Sequence, residues 1–222
     1  MTNVPVSVVI PARNAAAFVG EALQSVFEQT WIPQEVIVVD DGSTDATASE
    51  VSRFRDAVCL RQPSLGVAEA RNTGLRRASM PFITFLDADD LWTPTKTEQQ
   101  LAFLSTHPDI DFVSGQMVQF RRDDDGETLL SPPASANLLP LLMIRREAFW
   151  RVGPLAGHLR LAEQIDWWAR AKDLGLRGDS IPSVVLKRRL HGSNLGRSIE
   201  KPMQAYLQTL HTIVKRRRGE SS

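Results

Sequence analysis

Val36-Ile37-Val38-Val39-Asp40-Asp41-Gly42-Ser43-Thr44-Asp45 joins four branched apolar residues to an acidic turn containing one glycine. A short apolar run of this kind reads as a strand buried on both faces of a parallel sheet. A second junction of the same design follows, where Phe82-Ile83-Thr84-Phe85-Leu86 runs into Asp87-Ala88-Asp89-Asp90. Open α/β sheets bind ligands in the crevice beyond the carboxyl ends of their strands. Two carboxylate clusters at two such ends suit a ligand that a divalent cation can bridge. A nucleotide carrying a diphosphate meets that description.

Working outward from these junctions, Val6 to Ile10 reads as a first strand closed by Pro11. Helical spacing of Phe18, Val19, Ala22, Leu23, Val26 and Phe27 predicts a helix over 15–29, with Asn14 as its N-cap. Further strands are expected over Glu35–Val39, Val58–Leu60, Phe82–Leu86 and Ile110–Phe120. Helices are expected after Asp45, from the Gly66 loop to Ala78, and from Thr93-Pro94 to Ser105. Asp123-Asp124-Asp125-Gly126 and Pro132-Pro133 make Arg121 to Asn137 read as a loop. Beyond it come a strand-like run Leu138–Ile144, a helix Arg146–Val152 stopped by Gly153-Pro154, a helix Glu163–Leu174 and strands near Ser183–Leu190. The tail over 198–218 reads as a basic helix.

Strands alternating with helices imply βαβ units and a mostly parallel sheet flanked by helices, an α/β fold. One domain over 1–222 is the economical division. Residues 4–120 form its regular half, and 121–195 a smaller, mixed half.

Lys plus Arg and Asp plus Glu both total 26, so the formal charge is zero and nothing favours a general nucleic-acid binder. The lone Cys59 lies in Ala57-Val58-Cys59-Leu60 and reads as a buried core thiol; it excludes a disulfide or a Cys-based zinc site. Met1-Thr2-Asn3-Val4-Pro5 lacks the basic and apolar regions of a signal peptide, and no run is long enough to span a membrane. The expectation is a cytoplasmic protein. Lys187-Arg188-Arg189 and Lys215-Arg216-Arg217-Arg218 read either as solvated basic ends or as contacts to anionic lipid at the inner membrane face, or to an anionic acceptor.

Four motifs occur in the order found in family 2 glycosyltransferases of the GT-A fold, which the chain resembles. They are Val8-Val9-Ile10-Pro11-Ala12-Arg13-Asn14, Glu35 to Asp45, Gly66-Val67-Ala68-Glu69-Ala70-Arg71-Asn72-Thr73-Gly74, and Leu86 to Asp90. The resemblance is close over residues 4–120 and looser to about 195. It implies a nucleotide-sugar donor (a UDP-sugar), Mn²⁺ or Mg²⁺, and inverting transfer to a carbohydrate, lipid-linked or peptide acceptor. By match, Asp41 would accept the ring N–H of the base, and Pro11, Ala12 and Arg13 would line the nucleotide pocket. Gly66 lies on the loop that passes the donor. Arg71 would hold phosphate, or else pin Asp87.

Asp87-Ala88-Asp89 matches the family's DxD motif, with Asp89 as the direct metal ligand and Asp87 toward the ribose. His191 is the implied third contact to metal or diphosphate. Asp90 reads as a helix cap.

One departure stands out. The family's general base is the Asp of a Glu-Asp pair, and here the run is Glu163-Gln164-Ile165-Asp166-Trp167-Trp168-Ala169-Arg170. A neutral amide cannot take a proton, and losing a general base costs about 10²–10⁴-fold. Glu163 or Asp166, one turn apart, can substitute; the acceptor can need no base; or the protein binds a donor or glycan without turnover. Asp166 reads equally as an anchor for Arg170. Trp167 and Trp168 divide between a sugar platform and the core. A nucleotidyltransferase or dinucleotide enzyme is disfavoured, because no glycine-rich phosphate loop follows any strand.

Overall fold

The computed structural model describes residues 2–123, 126–159 and 162–192, with Thr209, His211, Ile213 and Val214. The chain winds a 10-stranded sheet in the order β3-β2-β1-β4-β9-β6-β10-β5, with β7 and β8 both paired to β6. The strands are β1 Thr2–Ala12, β2 Trp31–Asp41, β3 Ala57–Gln62, β4 Phe82–Phe85, β5 Leu91–Trp92, β6 Phe112–Asp123, β7 Gly126–Leu129, β8 Ala134–Ser135, β9 Leu142–Arg145 and β10 Gly178–Arg189. Between them lie α1 Val19–Phe27, α2 Thr47–Val51, α3 Val67–Arg77, α4 Lys96–Thr106, α5 Arg146–Val152 and α6 Glu163–Asp173. β1 is parallel to β2 and β4, β2 to β3, and β6 to β10. β4 and β6 are each antiparallel to β9, so all these strands end at one edge.

Two-sided burial follows from the period of 2 along each strand. Val8, Ile10, Val36 and Val38 pack with α1 and α2 on one face, while Val9, Ile37 and Val39 pack with α3 and α5 on the other. α4 covers Val4, Val6, Val113 and Met143 through Leu101 and Leu104. α3 comes close to the sheet because Gly74 has no side chain; a Cβ there would lie 2.4 Å from Val9 Cγ1.

The structure corrects several sequence expectations. α1 begins at Val19, four residues after the expected start, and Asn14 is no cap but stands at φ 49°. The reason lies across the sheet edge. Backbone N–H groups of Asn14, Ala15 and Ala16 donate to Ser43 Oγ (2.9 Å), Thr47 Oγ1 (2.8 Å) and Asp45 Oδ2 (3.1 Å), so this segment is held by the next loop. Arg121 to Asn137 is not a loop throughout: β6 continues into it and β7 returns, with Arg122 opposite Glu127. Leu138–Ile144 divides into a 3-10 turn, Leu139–Leu141, and β9. Cys59 is exposed, because β3 is the edge strand of the sheet and its residues are half-buried or exposed throughout. The short β5 carries no sequence signal; it forms by pairing with Leu186 and Lys187 of β10. Most of the expected basic tail helix lies outside the described residues, though Thr209, His211, Ile213 and Val214 are helical.

Candidate functional site

The first acidic loop leaves the end of β2. Asp40 is fully buried, accepts the Ser43 N–H (2.9 Å) and faces Arg61 at 3.5 Å. Asp41 is also buried. Its Oδ1 accepts from Gln62 Nε2 and the Leu65 N–H, both at 2.8 Å, and its Oδ2 accepts the Gly66 N–H at 2.9 Å. A carboxylate offers about four lone-pair directions, so one remains. Gly66 sits at φ 97°, a left-handed conformation that glycine adopts without strain, as the residue before α3. Pro11 and Ala12 are buried at the end of β1, with Ala12 beside Asp40 in register, and the Arg13 side chain is exposed.

The second acidic loop follows β4, which is β1's other neighbour. Its residues are gripped from three distant elements. Arg71 of α3 donates to Asp87 Oδ1 (2.7 Å) and, with its other terminal nitrogen, to Glu163 Oε1 of α6 (2.9 Å). Arg71 is 2% exposed, so it clamps two carboxylates from inside. Burial pushes the Glu163 carboxyl up despite the attraction of Arg71, and Glu163 Oε2 has no hydrogen-bond partner among the described residues.

Asp90 is not a helix cap. It is buried, and its Oδ1 accepts the Arg189 N–H at 2.8 Å. Burial and then the charges of Asp89 and Asp87 raise its carboxyl well above the usual range. Ala88 is buried between the acids. His191 Nε2 stands 2.9 Å from Asp89 Oδ2, its ring 4.5 Å from that of Phe18.

A divalent cation suits this second loop. Carboxylate oxygens with one imidazole form a hard to borderline donor set appropriate to Mn²⁺ or Mg²⁺. Asp87, Asp89 and Asp90 crowd three carboxylates at one strand end, whose mutual repulsion a cation would relieve. Among the described residues no three such groups assemble into a self-sufficient cage, so bound phosphate oxygens would have to complete the shell.

α6 brings the departure from the motif into view. Gln164 Oε1 accepts the Leu139 N–H at 2.8 Å, which ties α6 to the 3-10 turn. Asp166 Oδ2 accepts from Arg170 Nε at 2.8 Å. Both tryptophans join the core, against the expectation of one sugar platform. Trp167 is fully buried, 4.8 Å from the Phe149 ring, and Trp168 meets Phe112 edge-on at the start of β6, the end opposite the acidic loops. Lys187 and Arg189 are no solvated ends either: Lys187 pairs with Glu127, and Arg189 is buried.

Sequence reasoning missed Glu21, Phe18 and Arg189, which converge behind Asp89. No alternation marked Arg189, because β10 buries the consecutive Val185 and Leu186 and shifts register beside them.

A sequence profile described as Glycosyl transferase family 2 matches residues 7–163. An uncharacterized glycosyltransferase of Haemophilus influenzae is 31% identical over 176 residues, 72% of this chain and 60% of that one. UDP-Glc:alpha-D-GlcNAc-diphosphoundecaprenol beta-1,3-glucosyltransferase WfgD of Escherichia coli is 36% identical over 118 residues, 52% of this chain and 46% of that one. The chain thus spans about half the length of these curated relatives. Among solved structures, S. aureus TarS 1-349 in complex with UDP-GlcNAc superposes with TM-score 0.79 at 20% identity, covering 96% of this chain and 65% of that one. Mannosyltransferase PcManGT from Pyrobaculum calidifontis, in complex with GDP-Man and Mn2+, gives TM-score 0.71 at 22% identity over 98% of this chain and 65% of that one. At these identities the superpositions speak for the fold, a GT-A sheet.

Proposed function

The chain belongs to glycosyl transferase family 2, and from that premise we propose that it is a cation-dependent transferase moving a sugar from a UDP-sugar to an acceptor nucleophile. The observation that carries this reading is the pairing of Asp89 with His191 at 2.9 Å, two strands from the Asp41 loop at the same sheet edge. TarS and PcManGT, which share the fold, were solved with UDP-GlcNAc and with GDP-Man and Mn2+.

In the proposed arrangement Asp41 fixes the Gln62–Gly66 loop and offers its remaining lone pair to the nucleobase N–H. Pro11 and Ala12 wall that end, and the exposed Arg13 guanidinium reaches the base or phosphate. Asp89 and His191 hold the cation, with Asp87 beside them. Mn²⁺ or Mg²⁺ supplies Lewis-acid neutralisation of the departing diphosphate. The acceptor attacks the anomeric carbon as the bond to the diphosphate oxygen breaks, which inverts that centre.

Arg71 acts from beneath by holding Asp87 and Glu163 in place. Glu163 and Asp166 are both buried, Glu163 held by Arg71 and Asp166 by Arg170, and both stay candidate proton acceptors. The pairing of Asp166 with Arg170 (2.8 Å) and of Gln164 with Leu139 (2.8 Å) favours one alternative, a donor-binding relative with weak turnover.

Incubation with labelled UDP-sugars and Mn²⁺ separates the two readings. The transferase releases UDP, and Asp89→Ala lowers that rate at least about 100-fold, the scale of losing one metal-ion or oxyanion contact. Asp89→Ala also abolishes the cation-dependent rise in melting temperature. Donor binding with no release by the wild type would establish the weak relative; an unchanged cation response in Asp89→Ala would remove Asp89 from the site.

A further inference from the structure

We propose that Glu21 and Arg189 form a positioning pair that sets how tightly the Asp87–Asp90 loop holds its divalent cation. This rests on the reading of that loop as a cation site. Arg189 grips the loop at two points next to the Asp89 side chain: its Nε donates to the Asp89 carbonyl at 2.9 Å, and its own N–H donates to the Asp90 carboxylate, at Oδ1, at 2.8 Å. The guanidinium lies between two aromatic faces, 5.3 Å from the Phe18 ring centre and 4.8 Å from Phe120. Phe18 also carries the His191 ring, so one aromatic residue aligns both the grip and the imidazole that meets Asp89.

This geometry poses an electrostatic problem. A buried positive charge touching Asp89 positions that residue for a cation and at the same time repels the cation. Glu21 answers it, because its Oε2 accepts from Arg189 Nη2 at 2.8 Å. With Arg189 neutralised, the charge of Asp89 is left for the ion, since Asp87 is already paired with Arg71. Glu21 stands in the first turn of α1, where a carboxylate is favoured by the helix dipole. It also pairs with Arg122 of β6. That second pair lies outward, so it serves as an internal control.

The test uses the whole chain with UDP, reading free Mn²⁺ by electron paramagnetic resonance, so it does not depend on turnover. Glu21→Gln keeps an oxygen acceptor for Arg189 and deletes only the charge. It weakens Mn²⁺ binding roughly three- to tenfold at low salt, the scale of one partly screened unit charge, and the deficit shrinks in 0.5 M salt, roughly. Arg122→Gln, which breaks the outer pairs of Arg122 with Glu21 and Glu127 and leaves Glu21 with Arg189, changes it less than about twofold. Far-ultraviolet circular dichroism checks that both variants keep the fold. Unchanged affinity in Glu21→Gln, or an equal loss in Arg122→Gln, overturns the pair's role. No Mn²⁺ binding by the wild type overturns instead the cation reading on which the proposal stands.

Discussion

The two acidic loops hang from neighbouring parts of one sheet edge but are held in different ways. The Asp40–Asp45 loop is secured mainly by backbone amides, which donate without charge: Asp40 caps Ser43, Asp45 accepts from Thr47 and Ala16, and Asp41 gathers Leu65 and Gly66. The Asp87–Asp90 loop is held chiefly by basic residues of other elements, Arg71 of α3, Arg189 of β10 and His191 beyond it. Neutral amides share the load among several individually weak bonds. Charged partners share it among few, and Arg71 is itself buried. The first loop should therefore tolerate single losses, and the second should not.

The largest expected effect is at Arg71. Arg71→Gln leaves Glu163 charged and unpaired in the interior beside an already orphaned oxygen, a loss of about 3–5 kcal/mol. Urea unfolding should show it, and a loss below about 1 kcal/mol would mean that the second loop does not depend on its charged partners as argued.

Next is Lys96, which lies fully buried behind the second loop, its ammonium 5.2 Å from the Trp92 ring and bonded to Gln100 Oε1 (2.8 Å) and the Pro140 carbonyl (3.2 Å). Burial pushes its pKa down from 10.5 to about 7. Below pH 7 folded and unfolded chains both carry the proton, and the burial penalty is present in full. Between pH 7 and 10.5 the unfolded chain binds more protons, so stability rises with pH across that window. Lys96→Met should raise stability at pH 6 by about 1–4 kcal/mol, net of the two lost hydrogen bonds, and flatten that rise. Denaturation midpoints at pH 6 and pH 9 decide it; a variant less stable at pH 6 would show those bonds outweigh desolvation.

The smallest is Asp45→Ala, about 1 kcal/mol, the scale of one lost capping carboxylate, because the Ala16 N–H it leaves behind is exposed to water. A loss as large as Arg71→Gln would erase the contrast between the loops.

Contiguity along the chain explains what could be read from the sequence. Apolar runs ending in carboxylates disclosed β2, β4 and both loops, because strand, turn and acid are contiguous there. The α6 boundaries were equally plain from Glu163 and the spacing of Trp167 and Ala171. The start of α1 was misread because its rival partners, Ser43, Asp45 and Thr47, are about thirty residues away. Cys59 was misplaced because an apolar run does not say whether its strand is central or at an edge. Arg189 and Glu21, 168 positions apart, meet only through the tertiary fold, and no local pattern announces such a contact.

The edge strand β3 has a practical use. Cys59 is the chain's single cysteine, exposed, three residues before the glutamine that bonds Asp41. A fluorophore attached there would report on the neighbouring pocket without touching it. Burial and the nearby Asp40 raise the thiol's pKa, so labelling should proceed faster in mildly alkaline buffer than at neutrality. An unguarded rim of the sheet thus doubles as a ready-made place for a probe.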